Sequence, residues 1–431
     1  MNFMKNYIKS VSIKGLWEVK NIKVDFNEDV NILIGGNGSG KTTFLRIIES
    51  FLNVDLGAVE EIVFDEVEID IQNDEEVNIL LIQRLMEDNV TPVFRYVFPD
   101  GEIVELRSSE GRVMYRSRVS AHSVYQHLKE RLGKLVKVSW LSINRIGENV
   151  DRSDRRSYES FRTDVDVKLS ILMNQIISYR LQLETKVNER TGKFNEEIVS
   201  LLLYNQKYDN LPKYSQIQEL KSYTKEEIIT ELHKVFSYFG NPRVHSEDIE
   251  RHAEMINTVV EKMNNRDGHF SAEEMLSLSL MNRTLAILGL STDYQRDKAK
   301  ILEPINMYLG IVYQYLKEKR IELNATTSEL IPHVQIGTGK EKALDVKSLS
   351  SGEKQLLILL TETLLQQSQP YIFIADEPEL SLHIEWQRNL INSIRNLNPH
   401  AQIIFATHAP EIAANHPQKL INMQNVTTYA E

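Results

Sequence analysis

The chain has 431 residues, of which 42% are hydrophobic and 26% are charged, as in an ordinary soluble globular protein long enough for two domains. It contains no cysteine, which excludes disulfide bonds, thiol catalysis and cysteine-ligated zinc. The formal net charge of −11 argues against nucleic-acid binding by the whole surface. No apolar run approaches the roughly 20 residues of a membrane span, and no signal-peptide core is present, so we expect a cytoplasmic protein without membrane contact.

The first predicted elements lead into a glycine-rich loop. Residues 7–13 and 21–26 alternate apolar and polar side chains, as half-buried strands do, and the apolar strand 30–34 follows them. Residues 35–43 then match the pattern G-x-x-x-x-G-K-[ST], and residues 43–52 continue as a helix. In this context the backbone N–H groups and the helix N-terminus face an anion.

This loop is predicted to bind the phosphates of a nucleoside triphosphate. The lysine would reach the β- and γ-phosphates, and the first threonine hydroxyl would ligate Mg²⁺. The predicted nucleotide-binding residues are Gly35, Gly36, Asn37, Gly38, Ser39, Gly40, Lys41, Thr42 and Thr43.

Residues 61–143 are predicted to be mainly strands. The turn Pro99-Asp100-Gly101 indicates a hairpin. The predicted strands are Ile62–Ile71, Val93–Phe98, Glu102–Leu106 and Val136–Ile143, with a helix over His122–Leu132 before the last of them. An arginine-rich segment follows, in which acidic residues alternate with Arg145, Arg152, Arg155, Arg156 and Arg162. It is either a solvated, ion-paired segment or a contact for a partner, a phosphate or nucleic acid.

Residues 151–325 are predicted to be helical, because they are rich in helix formers and contain few β-runs. Apolar residues recur at three- and four-residue spacing in two places: Leu169, Leu172, Ile176, Tyr179 and Leu183, and Ile305, Tyr308, Val312 and Tyr315. Each seam covers only about two heptads, so the pattern fits a short antiparallel coiled-coil arm and a helical bundle equally well.

A second group of motifs lies near the end of the chain. Residues 349–355 read Leu-Ser-Ser-Gly-Glu-Lys-Gln and open an apolar helix, with Ser350 or Ser351 as its N-cap. An apolar strand then ends in Asp376-Glu377, and another, residues 403–407, ends at His408. Asp376 is suited to hold Mg²⁺, and Glu377, one residue past the strand, is suited to orient a water that attacks the γ-phosphate.

This ordered set of motifs resembles the ABC-type ATPase fold, in its SMC- and RecF-like branch. The resemblance covers roughly residues 1–150 and 325–431. It implies an α/β P-loop NTPase head, with a mixed sheet and an antiparallel β lobe, interrupted by a large α-helical insertion. The expected domains are residues 1–150, 151–325 and 326–431.

The resemblance also implies ATP and Mg²⁺ as cofactors and a site shared between two chains. Ser350, Ser351, Gly352 and Glu353 would contact ATP held by the opposite protomer of a homodimer or higher oligomer. Residues 379–383 would cross the interface, and His408 would sense the γ-phosphate beside the catalytic Glu377. The family usually has a glutamine after the strand that here ends at Ile143, so Asn144 is the expected replacement as a ligand of the metal or its water, and Arg145 could contact phosphate.

Function is expected to be ATP hydrolysis, with the chemistry on nucleic acid performed by another protein. The chain shows no nuclease motif and no room for a C-terminal Toprim domain, and its form is similar to the ATPase subunits of Septu-type and PARIS-type anti-phage systems. ATP-dependent dimerisation would then control a separate nuclease effector. The alternatives are a RecF- or SMC-like repair ATPase that acts directly on DNA, and an ATP-binding scaffold with negligible turnover.

Overall fold

The structure is a computed structural model that describes residues 6–73, 76–87, 91–109, 112–114, 121–141, 164–201, 203, 208, 214–239, 245–264, 271–324, 327, 329–336 and 340–429. Its strands are β1 Asn6–Leu16, β2 Lys20–Asp25, β3 Val30–Ile34, β4 Glu66–Asn73, β5 Glu76–Glu87, β6 Thr91–Val97, β7 Ile103–Ser109, β8 Arg112–Met114, β9 Val138–Leu141, β10 Lys319–Leu323, β11 Leu330–Ile336, β12 Lys340–Ala343, β13 Ile372–Asp376, β14 Gln402–Ala406, β15 Leu420–Asn422 and β16 Thr427–Tyr429. Its helices are α1 Lys41–Asn53, α2 Ala121–Leu135, α3 Asp164–Ser200, α4 Tyr214–Lys221, α5 Lys225–Ser237, α6 Ser246–Asn264, α7 Ala272–Tyr315, α8 Ser351–Leu365, α9 Ile384–Leu397 and α10 Pro410–Ala413.

One sheet is antiparallel throughout its described pairings. Its strand order is β16-β2-β1-β4-β5-β6-β7-β8. The predicted hairpin at Pro99-Asp100-Gly101 joins β6 to β7, where Val97 pairs with Ile103. Alternate residues of β4 (Val67, Ile69 and Ile71) are buried, which is the period-two pattern of a sheet with one covered face. Strand β5 was not predicted, and the strand expected over Ile62–Ile71 begins at Glu66 instead.

A second sheet is parallel and holds the nucleotide motifs. Its described order is β15-β3-β14-β13-β9, with Ile403 beside Val30 and Ile372 beside Gln402. Strands buried on both faces of a parallel sheet read as continuous apolar runs, as β13 and β14 do. The predicted fold class is confirmed, with one correction: this sheet is parallel in all its described pairings, and the antiparallel strands form separate sheets.

Helix α1 joins the two sheets through one hydrophobic core. Its residues Phe44, Ile48 and Phe51 are fully buried in a cluster that also contains side chains of β1, β4 and β6 from the antiparallel sheet and of β13 and β14 from the parallel sheet. The core therefore holds the N-terminus of α1 at the edge of the parallel sheet where β3 ends. This position is the one that a phosphate-binding loop requires.

A small antiparallel sheet, in the order β10-β11-β12, precedes the helix that carries the Leu-Ser-Ser-Gly-Glu motif. The chain leaves β12 through a single 3₁₀ turn at Val346–Ser348, which is capped by the carboxylate of Asp345, and enters α8 at Ser351. Most of α8 is buried, as its apolar sequence predicts.

The helices between residues 178 and 306 form their own compact unit. Helices α4, α5, α6 and α7 share a core that includes Leu232, Ile256 and Met281. Within the same unit α3 contacts α7, where Arg190 Nε donates to Asp297 Oδ2 at 2.9 Å and the hydroxyls of Thr191 and Tyr294 are 2.9 Å apart. Within this unit α3 and α7 are therefore in contact, and α4 to α7 form a bundle core, whereas the coiled-coil arm stays a prediction.

The other compact unit contains residues 1–177 and 307–431, so it includes the first turns of α3 and the last turns of α7. The compact units therefore divide inside these two helices and not at residues 150 and 325. All nine residues of the two apolar seams are buried. Among the described residues, no helix is long and apolar enough to cross a membrane.

Candidate functional site

The glycine-rich loop turns from β3 into α1 through backbone that favours glycine. Gly40, immediately before the helix, has φ 93°, a left-handed conformation that an L side chain adopts only with strain. The amide of Ser39 donates to the carbonyl of Gly36 at 3.2 Å, which closes the loop. Thr42 is exposed at the start of α1, where its hydroxyl can reach a ligand.

Lys41 is buried, and its ammonium group is held among acceptors of the loop. Nζ donates to the carbonyl of Gly35 at 2.9 Å and lies 2.9 Å from Nε2 of His408. An ammonium group can only donate, so Nε2 of His408 is the acceptor in this contact. Burial lowers the pKa of Lys41, and the carboxylates of Asp376 and Glu377 partly oppose this effect. The predicted phosphate lysine and the predicted sensing histidine are therefore in direct contact.

Asp376 ends β13 and faces the same position. Its carboxylate accepts from the hydroxyl of Thr42, and its Oδ1 is buried without a hydrogen-bond partner among the described groups. Burial raises its pKa, and the neighbouring charge of Glu377 adds to this effect. A buried carboxylate oxygen without a donor is costly unless a cation compensates it.

These two residues fit a magnesium ion. Mg²⁺ prefers oxygen ligands and is usually held by one or two protein groups, with phosphate oxygens and waters completing its shell. Asp376 and Thr42 supply two such oxygens. No cluster of three or more histidine, aspartate or glutamate side chains that could hold a metal occurs in the part of the chain that the structure describes.

Glu377 has a left-handed backbone, with φ 49°. Its amide donates to the carbonyl of Ala406 at 2.8 Å, which ties the turn after β13 to the end of β14. Such a conformation costs a non-glycine residue about 1–2 kcal/mol. This conformation turns the chain away from the direction of β13 directly after Asp376. The carboxylate of Glu377 therefore does not continue the alternation of side chains along this strand. Strain of this kind occurs often at functional sites.

The predicted contact motif caps α8. The hydroxyl of Ser350 accepts from the amide of Glu353, and the carboxylate of Glu353 accepts from the amide of Ser350 at 2.8 Å, so Ser350 is the N-cap. The same carboxylate pairs with Lys319 at 2.7 Å. These contacts give Ser350 and Glu353 structural roles within the chain. Ser351 is exposed in the first turn.

Gly352 permits a close approach between α8 and the turn after β13. A Cβ atom at this position would lie 2.2 Å from the carbonyl oxygen of Ser381. Gln355 donates from Nε2 to the carbonyl of Pro378 at 2.8 Å. The motif on α8 thus packs against the segment that carries Glu377.

Two residues beside the site were missed as site residues by the sequence predictions. Glu379, which was named only as part of the interface loop, is buried and accepts hydrogen bonds from the turn that contains His408. Trp17 is 38% exposed, and its ring lies beside Gly40: a Cβ atom placed on Gly40 would be 3.6 Å from Cη2 of this ring. Lys20 lies over the same ring, 4.9 Å from its centroid. The run Asp-Glu-Pro-Glu at residues 376–379, at the end of β13, was a possible signal for Glu379, whereas no local pattern indicates Trp17.

Asn144 and the arginine-rich segment, residues 145–162, lie outside the described residues. Their roles as a metal ligand and as a phosphate or partner contact stay predictions.

Comparisons with known proteins identify the family of the chain. The model of the AAA ATPase domain family matches residues 4–413, so the chain belongs to this family. The retron Vc95 probable ATPase of Vibrio cholerae serotype O1 biovar El Tor is 21% identical over 460 residues, covering 100% of this chain and 75% of the relative.

Solved structures with some similarity include two SMC head domains. The Pyrococcus furiosus head bound to the C-terminal domain of ScpA has 16% identity and a TM-score of 0.41, and the alignment covers 99% of this chain and 96% of that one. The Pyrococcus yayanosii head with a coiled coil and joint has 15% identity and a TM-score of 0.39, with 95% and 93% covered.

Proposed function

We propose that the chain binds ATP with Mg²⁺, hydrolyses it slowly, and uses ATP-dependent dimerisation to control a separate nuclease effector in anti-phage defence. The observation that carries the ATPase part is the convergence of Lys41, Asp376 and His408 at the carboxyl ends of three adjacent parallel strands. Lys41 and Thr42 would hold the phosphates and the metal, with Asp376 as the second protein ligand of Mg²⁺. A bound Mg²⁺ would neutralise charge on the β- and γ-phosphates.

Glu377 is the proposed water-orienting residue. Glu377 is the next residue after the proposed metal ligand Asp376, and its left-handed backbone turns the chain away from the direction of β13. Phosphoryl transfer needs a positioned water and charge stabilisation more than it needs covalent chemistry. His408, already in contact with Lys41, would act as the γ-phosphate sensor. Glu377 and His408 therefore form the proposed catalytic pair.

The proposed dimer completes the site with α8 of the opposite chain. Ser351 is exposed in the first turn of α8, where the helix N-terminus favours an anion. Ser350 and Glu353 would support this end indirectly, because their polar groups are used by the cap and by Lys319. The relative that is named as a retron probable ATPase supports the ATPase part of this proposal.

Trp17 is the proposed contact for the nucleotide base. It presents an exposed aromatic ring beside the phosphate-binding loop, and every base has a face on which such a ring can stack.

The first test is the substitution Glu377→Gln. We expect ATP to bind, hydrolysis to fall by about a hundredfold or more because a water-orienting carboxylate is lost, and dimers to accumulate in sedimentation velocity runs with ATP. The matched control is Glu105→Gln. Glu105 is on β7, its carboxylate pairs with Arg95 of β6, and both residues are far along the chain from these motifs. Hydrolysis at the wild-type rate in Glu377→Gln would assign the catalytic role to another residue, and a wild type with no turnover would favour the scaffold alternative.

The effector part needs a separate experiment. The chain would be purified together with its natively expressed neighbours, and nuclease activity of the complex would be measured with and without ATP. ATP-dependent control of a co-purified nuclease is the expected result. Tight ATP-dependent DNA binding by the isolated chain, without such a nuclease, would instead favour the repair alternative.

A further inference from the structure

Glu379 makes a concentrated set of contacts that the proposed reaction does not use. Its side chain is buried, with 8% exposed. The single oxygen Oε1 accepts from the hydroxyl of Thr407 at 2.5 Å, from the amide of His408 at 3.1 Å and from the amide of Ala409 at 3.2 Å. The hydroxyl of Thr407 also accepts from the amide of Ala409 at 2.8 Å.

These contacts fix the turn on which His408 stands. Two consecutive amides and a side-chain hydroxyl point at one carboxylate oxygen, so the backbone at residues 407–409 has little freedom to rotate. Hydrogen bonds to a charged acceptor are shorter and about twice as strong as neutral ones. On the other side of this turn, the His408 ring meets Lys41 at 2.9 Å. The turn that carries the imidazole is therefore held by a carboxylate that follows a different strand, β13.

The segment that carries Glu379 is also anchored to α8. The carbonyl of Pro378 accepts from Gln355 Nε2 at 2.8 Å, and Gln355 is 3% exposed. The carbonyl of Ser381 lies so close to Gly352 that no larger residue fits without a shift. Residues 378–381 thus contact α8 on one side and the His408 turn on the other.

We propose that Glu379 is a positioning residue that holds His408 toward Lys41 and links the position of α8 to the orientation of this histidine. The inference rests on the proposed role of His408 at the γ-phosphate. A displacement at the N-terminus of α8 would reach His408 through Gln355, the 378–381 segment and Glu379, all of which are in direct contact. The remaining oxygen, Oε2, is buried without a hydrogen-bond partner among the described groups, so the bonds that hold the turn all use Oε1.

The test compares Glu379→Ala, Glu379→Gln, His408→Ala and the double variant Glu379→Ala/His408→Ala. Glu379→Ala removes the shared acceptor, and we expect kcat to fall by about tenfold to a hundredfold, with a smaller change in KM for ATP, because the effect is on geometry at the γ-phosphate. Glu379→Gln keeps one oxygen acceptor and should restore most of the rate. The double variant should be no slower than His408→Ala, because both changes act on one element.

A structural role alone would give a different pattern. Glu274→Gln is the matched control, since this carboxylate is also 8% exposed and accepts from Lys262 and the amide of Ser271, but belongs to the helical unit. It should change the melting temperature without changing kcat. A spectroscopic readout is independent of turnover: ¹⁵N-histidine spectra, with the His408 signal identified from His408→Ala, should show Nδ1 protonation in the wild type and altered shifts in Glu379→Ala.

The outcomes separate this inference from the proposed function. If the wild type hydrolyses ATP and Glu379→Ala stays within twofold of it in kcat, or if the losses of the two single variants add, the positioning role is wrong. An unchanged His408 signal in a folded Glu379→Ala variant would contradict it equally. If His408→Ala itself has no effect on turnover, the proposed role of His408 is wrong.

Discussion

At the scale of single residues, the site joins charges that would be unfavourable apart. Lys41 is buried with a lowered pKa, and Asp376 is buried with a raised one. Each is partly compensated by the other, and a triphosphate with Mg²⁺ would supply the missing partners for both. Lys41 directly follows the phosphate loop, and Asp376 lies at the end of β13. At these positions the backbone can bring the two opposite charges together at low cost.

Trp17 gives a residue-scale prediction. Trp17→Ala should raise KM for ATP by about tenfold, because base–aromatic stacking contributes about 1–3 kcal/mol, while kcat changes little. Trp17→Tyr should remain near wild type. The measurement is steady-state ATPase kinetics together with binding of ATP by calorimetry.

Tyr313 is a suitable control for this prediction, because it is an aromatic residue of α7 that is 57% exposed. Tyr313→Ala should leave KM unchanged. An unchanged KM in Trp17→Ala would show that the ring does not contact the base.

At the scale of elements, the sequence predicted best what local spacing determines. The phosphate loop and the capped start of α8 depend on neighbouring residues, and both were predicted. Strand β12 reads Lys-Glu-Lys-Ala and has little strand propensity, so only its pairing with β11 makes it a strand. Strand β5 begins as a mostly apolar run without clear alternation, a pattern that periodicity alone does not resolve. Glu379 and Trp17 contact the site through tertiary structure: the run of residues 376–379 gave a possible signal for Glu379, whereas no local pattern indicates Trp17.

The cap of α8 gives a prediction on pH. Burial opposes ionisation of Glu353, but hydrogen bonds from Lys319 and Ser350 outweigh it and hold its pKa below the ordinary value. The folded state therefore binds fewer protons, so the stabilisation is complete above the unfolded pKa of about 4.3 and is lost as pH falls through the folded value. Glu353→Gln should lower the melting temperature at pH 7 by roughly 2–4 °C, for about 1 kcal/mol. The difference should shrink toward pH 3.

The control for the pH series is Glu322→Gln, because Glu322 is more exposed and pairs with Arg320 at 2.8 Å on β10. It should show little difference at any pH, as exposed ion pairs contribute little. A gap between wild type and Glu353→Gln that is constant from pH 7 to pH 3 would contradict the assignment of the effect to this carboxylate.

At the scale of the whole molecule, the proposed shared site predicts complementation. Ser351→Arg should bind ATP through its own Lys41 but block closure, and Lys41→Ala should lose ATP binding because a charge-assisted phosphate contact is removed. A mixed dimer has one pocket with both substitutions and one intact pocket. Under random pairing, about a quarter of wild-type ATPase activity should return, since about half of the dimers are mixed and have one working site of two.

The measurement is ATPase activity of the two variants alone and after mixing, with mixed dimers verified by two affinity tags. If mixed dimers form and no activity returns, each site lies within one chain. Full activity of Ser351→Arg alone would exclude the contact of α8 with nucleotide.

The order of strands in the parallel sheet has a consequence for how the protein is made. Among the described strands, β3, which leads into the phosphate loop, has β14 and β15 as its two neighbours, and both come from residues 402–422. A ribosome adds about 5–20 residues per second, so β3 waits on the order of 20–75 s for its neighbours. During that time an apolar strand has both edges unpaired, which favours association with other chains. The nascent protein also lacks Asp376 and His408, so the proposed ATPase site is incomplete until residue 408 has been synthesised.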